Sequence, residues 1–225
     1  MRVSVVIPAY NEEKYIKKCL DTLTAQTVKP DEIILVDNNC TDNTVALVRK
    51  YSSVKVIKET EQGMIPARNA GFNTSQGDII AKCDADSILP SGWIKNIKNN
   101  FSENQSVVGI SMPVIMYDLP VGRRIAHFLF YFYMFLPRLV MGIWPMTGPG
   151  YAIRKSAWDQ AKSEVCLDDK KVHEDIDLTF HLKKIGVIIH DSKTVILGSA
   201  RRIKSRPLSF FGEYTLRFFR MLKNH

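Results

Sequence analysis

Residues 77–94 read GDIIAKCDADSILPSGWI. Ile79–Cys83 is a short, largely apolar run bounded by turn residues, the pattern of a strand buried on both faces. Asp84 follows it at once, and Trp93 opens a stretch to Asn104 that predicts a helix. The same alternation runs upstream. Val3–Ile7 is a β-branched-rich run that Pro8 ends, and Ile16, Cys19, Leu20 and Leu23 then recur at helical spacing within Glu12–Gln26. A strand at Glu32–Val36, a helix that Thr41 is placed to cap and that runs to Tyr51, a strand at Val54–Ile57 and a helix at Ile65–Asn73 complete the series. Short strands separated by helices predict an α/β fold with a mostly parallel central sheet and helices on both faces. Such sheets bind ligands beyond the carboxyl ends of their strands, where Asp37 and Asp84 both lie.

A second half begins after a strand predicted at Val107–Met112, as a change of role near residue 113 rather than a linker. Its most unusual stretch is Ile125–Leu136, IAHFLFYFYMFL, uncharged and bounded by Arg123, Arg124 and Arg138. About 20 residues are needed to span a bilayer as a helix, so this segment is expected either in a core or along an interface. Thr147–Arg154 reads as a Gly- and Pro-containing loop entering a strand, Glu174–Ile185 as a helix and Val187–Ile189 as a strand. Near the end, Phe211, Tyr214, Phe218, Met221 and Leu222 share one helical face, and Glu213, Arg217 and Arg220 another. Such an amphipathic C-terminal helix fits packing on its own domain or docking on an anionic lipid surface.

Composition narrows the class of protein. With 225 residues, 45% apolar and 24% charged, the chain can bury an ordinary core. Its net charge of +8 is unevenly placed, because seven Lys or Arg from Arg201 onward face one acid, Glu213. Basic residues interleaved with Phe and Leu at helical spacing suit a lipid surface better than a nucleic-acid groove, so no nucleic-acid partner is expected. The four cysteines, Cys19, Cys40, Cys83 and Cys166, stand far apart with no CxxC pair and read as core thiols. The opening MRVSVVIPAYNEE lacks the pattern of a secretory signal, which predicts a cytoplasmic location.

Several side chains have the right chemistry for a site. Asp84-Ala85-Asp86 sets two carboxylates just after a strand, where they can turn toward one hard cation, Mg²⁺ or Mn²⁺. By itself that spacing fits a solvated turn equally well. Glu174, Asp175 and Asp177 open a helix, where acids complement the helix dipole or, beside a cleft, accept a proton as general base. Tyr10, Asn11 and Glu12 fit contacts to a base or ribose, or a turn and cap. His173, His181 and His190 are more simply core or surface histidines.

Taken in order, VSVVIPAYNEEKYIKKCLDTLTAQT (3–27), EIILVDNNCTDNT (32–44), GMIPARNAGFNTSQGDIIAKCDADSILPSGWI (63–94), GPGYAIRKSAW (148–158) and EDIDLTFHLKKIG (174–186) resemble the family 2 glycosyltransferases from end to end. The resemblance implies the GT-A fold, a nucleotide-diphosphate sugar as donor, and inversion at the anomeric carbon. It implies a nucleotide-sugar-binding half at 1–112 and an acceptor-binding and catalytic half of the same domain at 113–200; the basic amphipathic tail read from charge and periodicity occupies 201–225. By position, Pro8, Ala9, Tyr10 and Glu12 match the first nucleotide-contacting loop, Asp37 and Asn38 the pair after the second strand, and Arg68 a residue beside the nucleotide. Asp84, with Ala85, would face sugar and ribose. Asp86 would hold the metal, with His190 as a further ligand. Gly148, Pro149 and Gly150 resemble the loop that frames donor and acceptor, and Arg201 and Arg202 match basic residues brought to the diphosphate. Asp175 matches the general base, with Glu174 beside it. Asn38 departs from the pattern, since many relatives carry there a second acid that helps read uracil, and this leaves UDP, GDP and other nucleotides open.

Together with the aromatic stretch Phe128–Phe135, the tail suggests a glycan or lipid-linked acceptor presented at the membrane, with the protein peripheral on its inner face. Two other readings compete. A nucleotidyltransferase also sets paired acids on such a sheet, but it calls for a Gly-rich, basic phosphate loop after the first strand, and PAYNEE is neither. A non-catalytic, membrane-associated nucleotide-sugar-binding protein has no need of Asp84, Asp86 and Asp175 together.

Overall fold

The structure is a computed structural model that describes residues 1–205 and 216–221. Its strands are β1 (Val3–Ala9), β2 (Glu32–Asp37), β3 (Val54–Lys58), β4 (Ile79–Cys83), β5 (Val107–Ser111), β6 (Val114–Met116), β7 (Gly150–Arg154), β8 (Val187–His190) and β9 (Ile196–Gly198). The helices are α1 (Ile16–Thr24), α2 (Thr44–Val48), α3 (Met64–Thr74), α4 (Trp93–Glu103), α5 (Arg123–Met141), α6 (Lys155–Ala161), α7 (Glu174–Ile185) and α8 (Arg201–Ser205), followed by a helical segment at 216–221.

Seven strands form one sheet in the order β3-β2-β1-β4-β7-β5-β8, and β6 pairs with β9. All pairings in the large sheet are parallel except those of β7, which runs antiparallel to both β4 and β5. This is the expected α/β, GT-A arrangement, and the sheet runs across residue 113 without a break. On one face Val3, Val5 and Ile7 of β1 pack with Ile16, Cys19 and Leu20 of α1 and Trp93, Ile97 and Phe101 of α4. On the other, Val6, Ile34 and Val36 meet Phe72 of α3, Trp158 of α6 and Leu178 and Leu182 of α7. Burial on both faces explains why the strands read as continuous apolar runs rather than alternating ones.

The topology gathers one edge of the sheet. Parallel strands present the loops after β1, β2 and β4 together at their carboxyl ends. Antiparallel β7 starts where β4 stops, with Gly150 opposite Cys83, so residues 148–150 reach the same edge. Helix α7 feeds β8, which runs parallel to β5 and so with β4. A helix feeding a strand of that direction begins at this edge, which puts the first turn of α7 there as well.

One expectation is corrected and others are made specific. Thr41 does not cap α2: the helix begins at Thr44, whose N–H and hydroxyl both donate to the Asp42 carboxylate (2.9 and 2.6 Å). Ile125–Leu136 lies within α5, and only one side of that helix is covered. Ala126, Met134 and Met141 are buried, whereas Phe128, Phe132 and Leu139 are 66%, 71% and 68% exposed. In the tail, Phe218 and Met221 are buried against Ile65, Met141, Val172 and Ile176, so that face packs on its own domain. Phe211, Tyr214 and Leu222 lie outside the described residues. All four cysteines are free thiols, with Cys19 and Cys83 in the core.

Helix α3 sits unusually close to the sheet. A Cβ at Gly71 would stand 2.3 Å from Val6 Cγ1 and 3.0 Å from Val36 Cγ2, both on stiff β-branched residues. Helix propensity alone favours Ala over Gly by about 1 kcal/mol, but overpacking costs about 1–3 kcal/mol. Gly71→Ala is therefore expected to lower stability in urea unfolding, against its propensity; an increase would show that α3 has room to shift.

Candidate active site

The site is built around Gly148. Its N–H donates to Asp175 Oδ2 (2.7 Å) and its carbonyl accepts from Lys82 Nζ (2.8 Å). A Cβ at this position would lie 3.3 Å from Lys82 Nζ, 3.4 Å from Asp84 Oδ2 and 3.7 Å from Asp175 Oδ2. The missing side chain marks the point where strand end, loop and helix terminus converge. Pro149 holds the loop from the other side, its carbonyl accepting the Ser87 hydroxyl at 2.8 Å. Gly150 serves packing, because a Cβ there would meet Ile196 Cγ1 at 2.7 Å.

Four acids face this region in different electrostatic states. Glu174 is buried and neutralised by two cations, Arg68 Nη1 at 3.0 Å and Lys82 Nζ at 3.3 Å. Asp84 takes Lys82 Nζ at 2.6 Å. Burial works to raise its carboxyl, yet the Lys82 charge and hydrogen bond hold it below the usual carboxylate value. Asp86 is buried, with Arg201 Nε 3.1 Å from Oδ2; burial and the Asp84 charge push it up to about 6. Asp175 is held by backbone donors instead, Gly148 N–H on Oδ2 and Ile176 N–H on Oδ1 (2.7 and 2.9 Å). Burial and then the charge of Glu174 push it up to about 7, into the range where a carboxylate exchanges protons near neutrality.

Glu12 is the second anchor of Arg201, which grips it with both terminal nitrogens, one at 2.6 Å. The same guanidinium lies 4.7 Å from the centre of the Tyr15 ring. Arg201 thus stands as the cation between Glu12 and Asp86. Asp118 makes this possible, accepting from Ala200 N–H at 2.6 Å and Ser199 Oγ at 3.1 Å just before α8. Arg202, next along α8, adds positive charge felt at Asp84 and Asp86.

Among the described residues no group of three or more His, Cys, Asp or Glu is set to hold a metal ion. Asp86 offers the hard oxygens such an ion takes, in a buried position, but its Oδ2 is paired to Arg201 Nε at 3.1 Å, which an ion would have to displace. Mg²⁺-type sites commonly take only one or two carboxylates and complete their shell with substrate phosphates and water.

Several expected contacts are corrected. Both ring nitrogens of His190, expected as a metal ligand, are engaged elsewhere: Ser111 Oγ lies 2.9 Å from Nδ1 and Tyr131 Oη 2.9 Å from Nε2. Arg68, expected beside the nucleotide, spends its hydrogen bonds within the protein. It is fully buried under α7, bonded to the Glu174 carbonyl and carboxylate and to Asn69 Oδ1. Asn38 is turned to the loop after β3, donating to the Glu59 and Glu61 carbonyls and accepting from Gln62 and Gly63. An acid there could not donate those two bonds. The side chain of Ala85 belongs to the core. Asp37 accepts Cys40 N–H at 2.8 Å beside the β1 edge. There Pro8 and Ala9 are buried in β1 and Tyr10 is 51% exposed. Asn11, at φ 55°, is a turn residue whose Oδ1 takes Thr41 N–H at 2.8 Å.

Lys82, Ser87 and Asp118 were not singled out from the sequence. Only Lys82 carried a signal there, as a lone charge inside an otherwise apolar buried strand.

Residues 4–160 match the family model for glycosyl transferase family 2. The glycosyltransferase AglE of Haloferax volcanii is 37% identical over 100 residues, 41% of this chain and 33% of that protein. Among solved structures, the mannosyltransferase PcManGT of Pyrobaculum calidifontis, in complex with GDP-Man and Mn²⁺, superposes with a TM-score of 0.76 at 20% identity, over 99% of this chain and 64% of that one. TarS residues 1–349 of S. aureus, in complex with UDP-GlcNAc, gives 0.70 at 21% identity, covering 88% and 58%. At such identities these two establish the shared fold, while the chain spans about a third of the length of the curated relative AglE. The match over more than half of the chain, on the sheet and loops that assemble Asp84, Asp86 and Gly148, makes this protein a member of glycosyl transferase family 2.

Proposed function

We propose that the chain transfers a sugar from a nucleotide-diphosphate sugar to an acceptor hydroxyl or lipid phosphate, with inversion, in glycan or cell-surface polysaccharide assembly. The observation that carries this reading is the division of labour among the acids. Asp84, Asp86 and Glu174 each have a cation within 4 Å, whereas Asp175, among the described residues, is fixed by N–H groups alone. A carboxylate oriented in that way keeps lone pairs free for a substrate proton. Asp175 takes the proton of the acceptor hydroxyl as its oxygen attacks the anomeric carbon from the side opposite the diphosphate. One displacement inverts that carbon.

Asp84, kept ionised by Lys82, is placed to accept hydrogen bonds from sugar or ribose hydroxyls. Asp86 would hold Mg²⁺ or Mn²⁺, which when bound neutralises charge on the departing diphosphate. Arg201 and Arg202 border the same position from α8. The nucleotide sugars and Mn²⁺ bound by TarS and PcManGT support a donor and a cation of these classes. Residues 1–112 supply the donor side of the site and 113–200 the loop and the base.

A peripheral site on the inner face of the membrane is supported chiefly by α5. Ile125, Phe128, Phe132, Phe135, Leu136 and Leu139 are exposed at spacings of three and four, one apolar stripe along the helix. Arg124 and Arg138 lie at its ends, and Leu216 and Phe219 extend the exposed apolar surface. No described helix is long and apolar enough to cross a membrane. A basic-flanked apolar stripe of this kind instead lies in the interface, where a lipid-linked acceptor is presented.

Three outcomes are expected. In thermal-shift titrations with UDP, GDP, CDP, dTDP and ADP, one nucleotide raises Tm further with Mn²⁺; Asp86→Ala removes that metal-dependent part, and Asp175→Asn keeps it while transfer falls about 10²- to 10⁴-fold. Full transfer by Asp175→Asn refutes its role as base. Because Asp175 must be ionised and its pKa is about 7, kcat/KM should fall about tenfold per pH unit below neutrality and level off above it; a profile flat to pH 5 contradicts the assignment. Co-sedimentation with phosphatidylglycerol vesicles should be lost in Phe132→Glu/Leu139→Glu at unchanged Tm, and undiminished binding would exclude α5 as the docking face.

A further inference from the structure

Lys82 is the least expected residue in the site. It sits in the middle of the sheet, on β4, with its side chain 1% exposed. Burial of an ammonium is costly unless its hydrogen bonds and charge are answered. Here Asp84 Oδ1 lies at 2.6 Å, the Gly148 carbonyl at 2.8 Å and Glu174 Oε1 at 3.3 Å, with the Tyr151 ring centre at 5.8 Å. Burial lowers the lysine pKa, but Asp84 and Glu174 outweigh it and keep the ammonium charged.

We propose that Lys82 is a positioning residue of the transfer site: a buried ammonium, bonded at once to the donor-side acid, the Gly148 loop and Glu174, that sets the placement and charge of Asp175. The inference rests on the reading of Asp175 as base. Each bond of Lys82 ends on a different wall of the site, namely the turn after β4, the loop before β7 and the first turn of α7. Withdrawing the ammonium releases Gly148, whose N–H orients Asp175. It also leaves Glu174 with half of its neutralisation, directly beside Asp175. The charged and titratable groups around Asp175 are Glu174 on its own helix, Lys82 and Asp84 at the end of β4, Tyr151 on β7 and Arg68 on α3. Of these, Lys82 favours the ionised base and Glu174 opposes it.

The test follows the Asp175 carboxyl by ¹³C NMR titration of the full chain, with its signal assigned from Asp175→Asn. Lys82→Met should raise the midpoint by about one pH unit, and an unchanged midpoint overturns the proposal. Should Lys82→Met fail to fold, a second pair decides. Glu174→Gln should titrate below the wild type and Lys82→Met/Glu174→Gln above Glu174→Gln, whereas equal midpoints in that pair overturn it. The acidic limb of kcat/KM should move with the carboxyl. A limb that stays put while the carboxyl moves would refute Asp175 as the base and leave the Lys82 linkage standing.

Discussion

Arg68 has no exposed surface, and its guanidinium takes both the backbone carbonyl and the carboxylate of Glu174. That single grip fixes the first turn of α7 against α3, and the rest of the site hangs on it. A guanidinium buried this deeply is stable only while its donors are occupied. Asn69 accepts two bonds from it and Glu174 two more, and the Phe72 and Trp158 ring centres lie 6.0 and 5.5 Å from the guanidinium carbon. Glu174 then passes the constraint to Lys82, and Lys82 to Asp84 and the Gly148 carbonyl. The alternating chain of Arg68, Glu174, Lys82 and Asp84 is locally balanced in charge. Asp175 is left outside the balance, as the role proposed for it requires.

Around Arg201 the logic is reversed. Glu12 and Asp86 lie on different loops, and the Glu12 charge works to raise the Asp86 carboxyl. Arg201 relieves this from the C-terminal side of the chain, 189 residues beyond Glu12. Arg201 thus supplies the cation at Asp86, the position proposed for a divalent ion. The hold of Asp118 on residues 199–200 turns α8 toward the sheet edge and determines where Arg201 arrives.

The same tertiary arrangement sorts the two apolar segments of the second half. Helix α5 presents its inner side to β6 and the core and leaves a hydrophobic stripe outward. The short segment at 216–221 buries Phe218 and Met221 beside Met141 and, like α5, leaves other apolar side chains, Leu216 and Phe219, outward. Both sequences are amphipathic, and periodicity alone does not say which face meets protein and which meets solvent or lipid.

The sequence by itself determined the sheet and its direction. Largely apolar runs at Val3–Ile7, Glu32–Val36 and Ile79–Cys83, spaced by helical periods, leave few arrangements but a mostly parallel sheet with two covered faces. The carboxyl-end position of Asp37 and Asp84 follows from that order, and the five ordered motifs point to the acids that gather there. Only the tertiary structure decided what each polar residue does. Arg68 and Asn38 sit in nucleotide-matching motifs, yet their hydrogen bonds are spent on Glu174 and on the loop at 59–63. His190 is taken by Ser111 and Tyr131. Lys82 and Asp118, silent or nearly so in the sequence, hold the site together. The reason is physical: periodicity reports which face of an element is buried, whereas the partner of a buried charge is chosen by distance and desolvation among residues far apart in the chain.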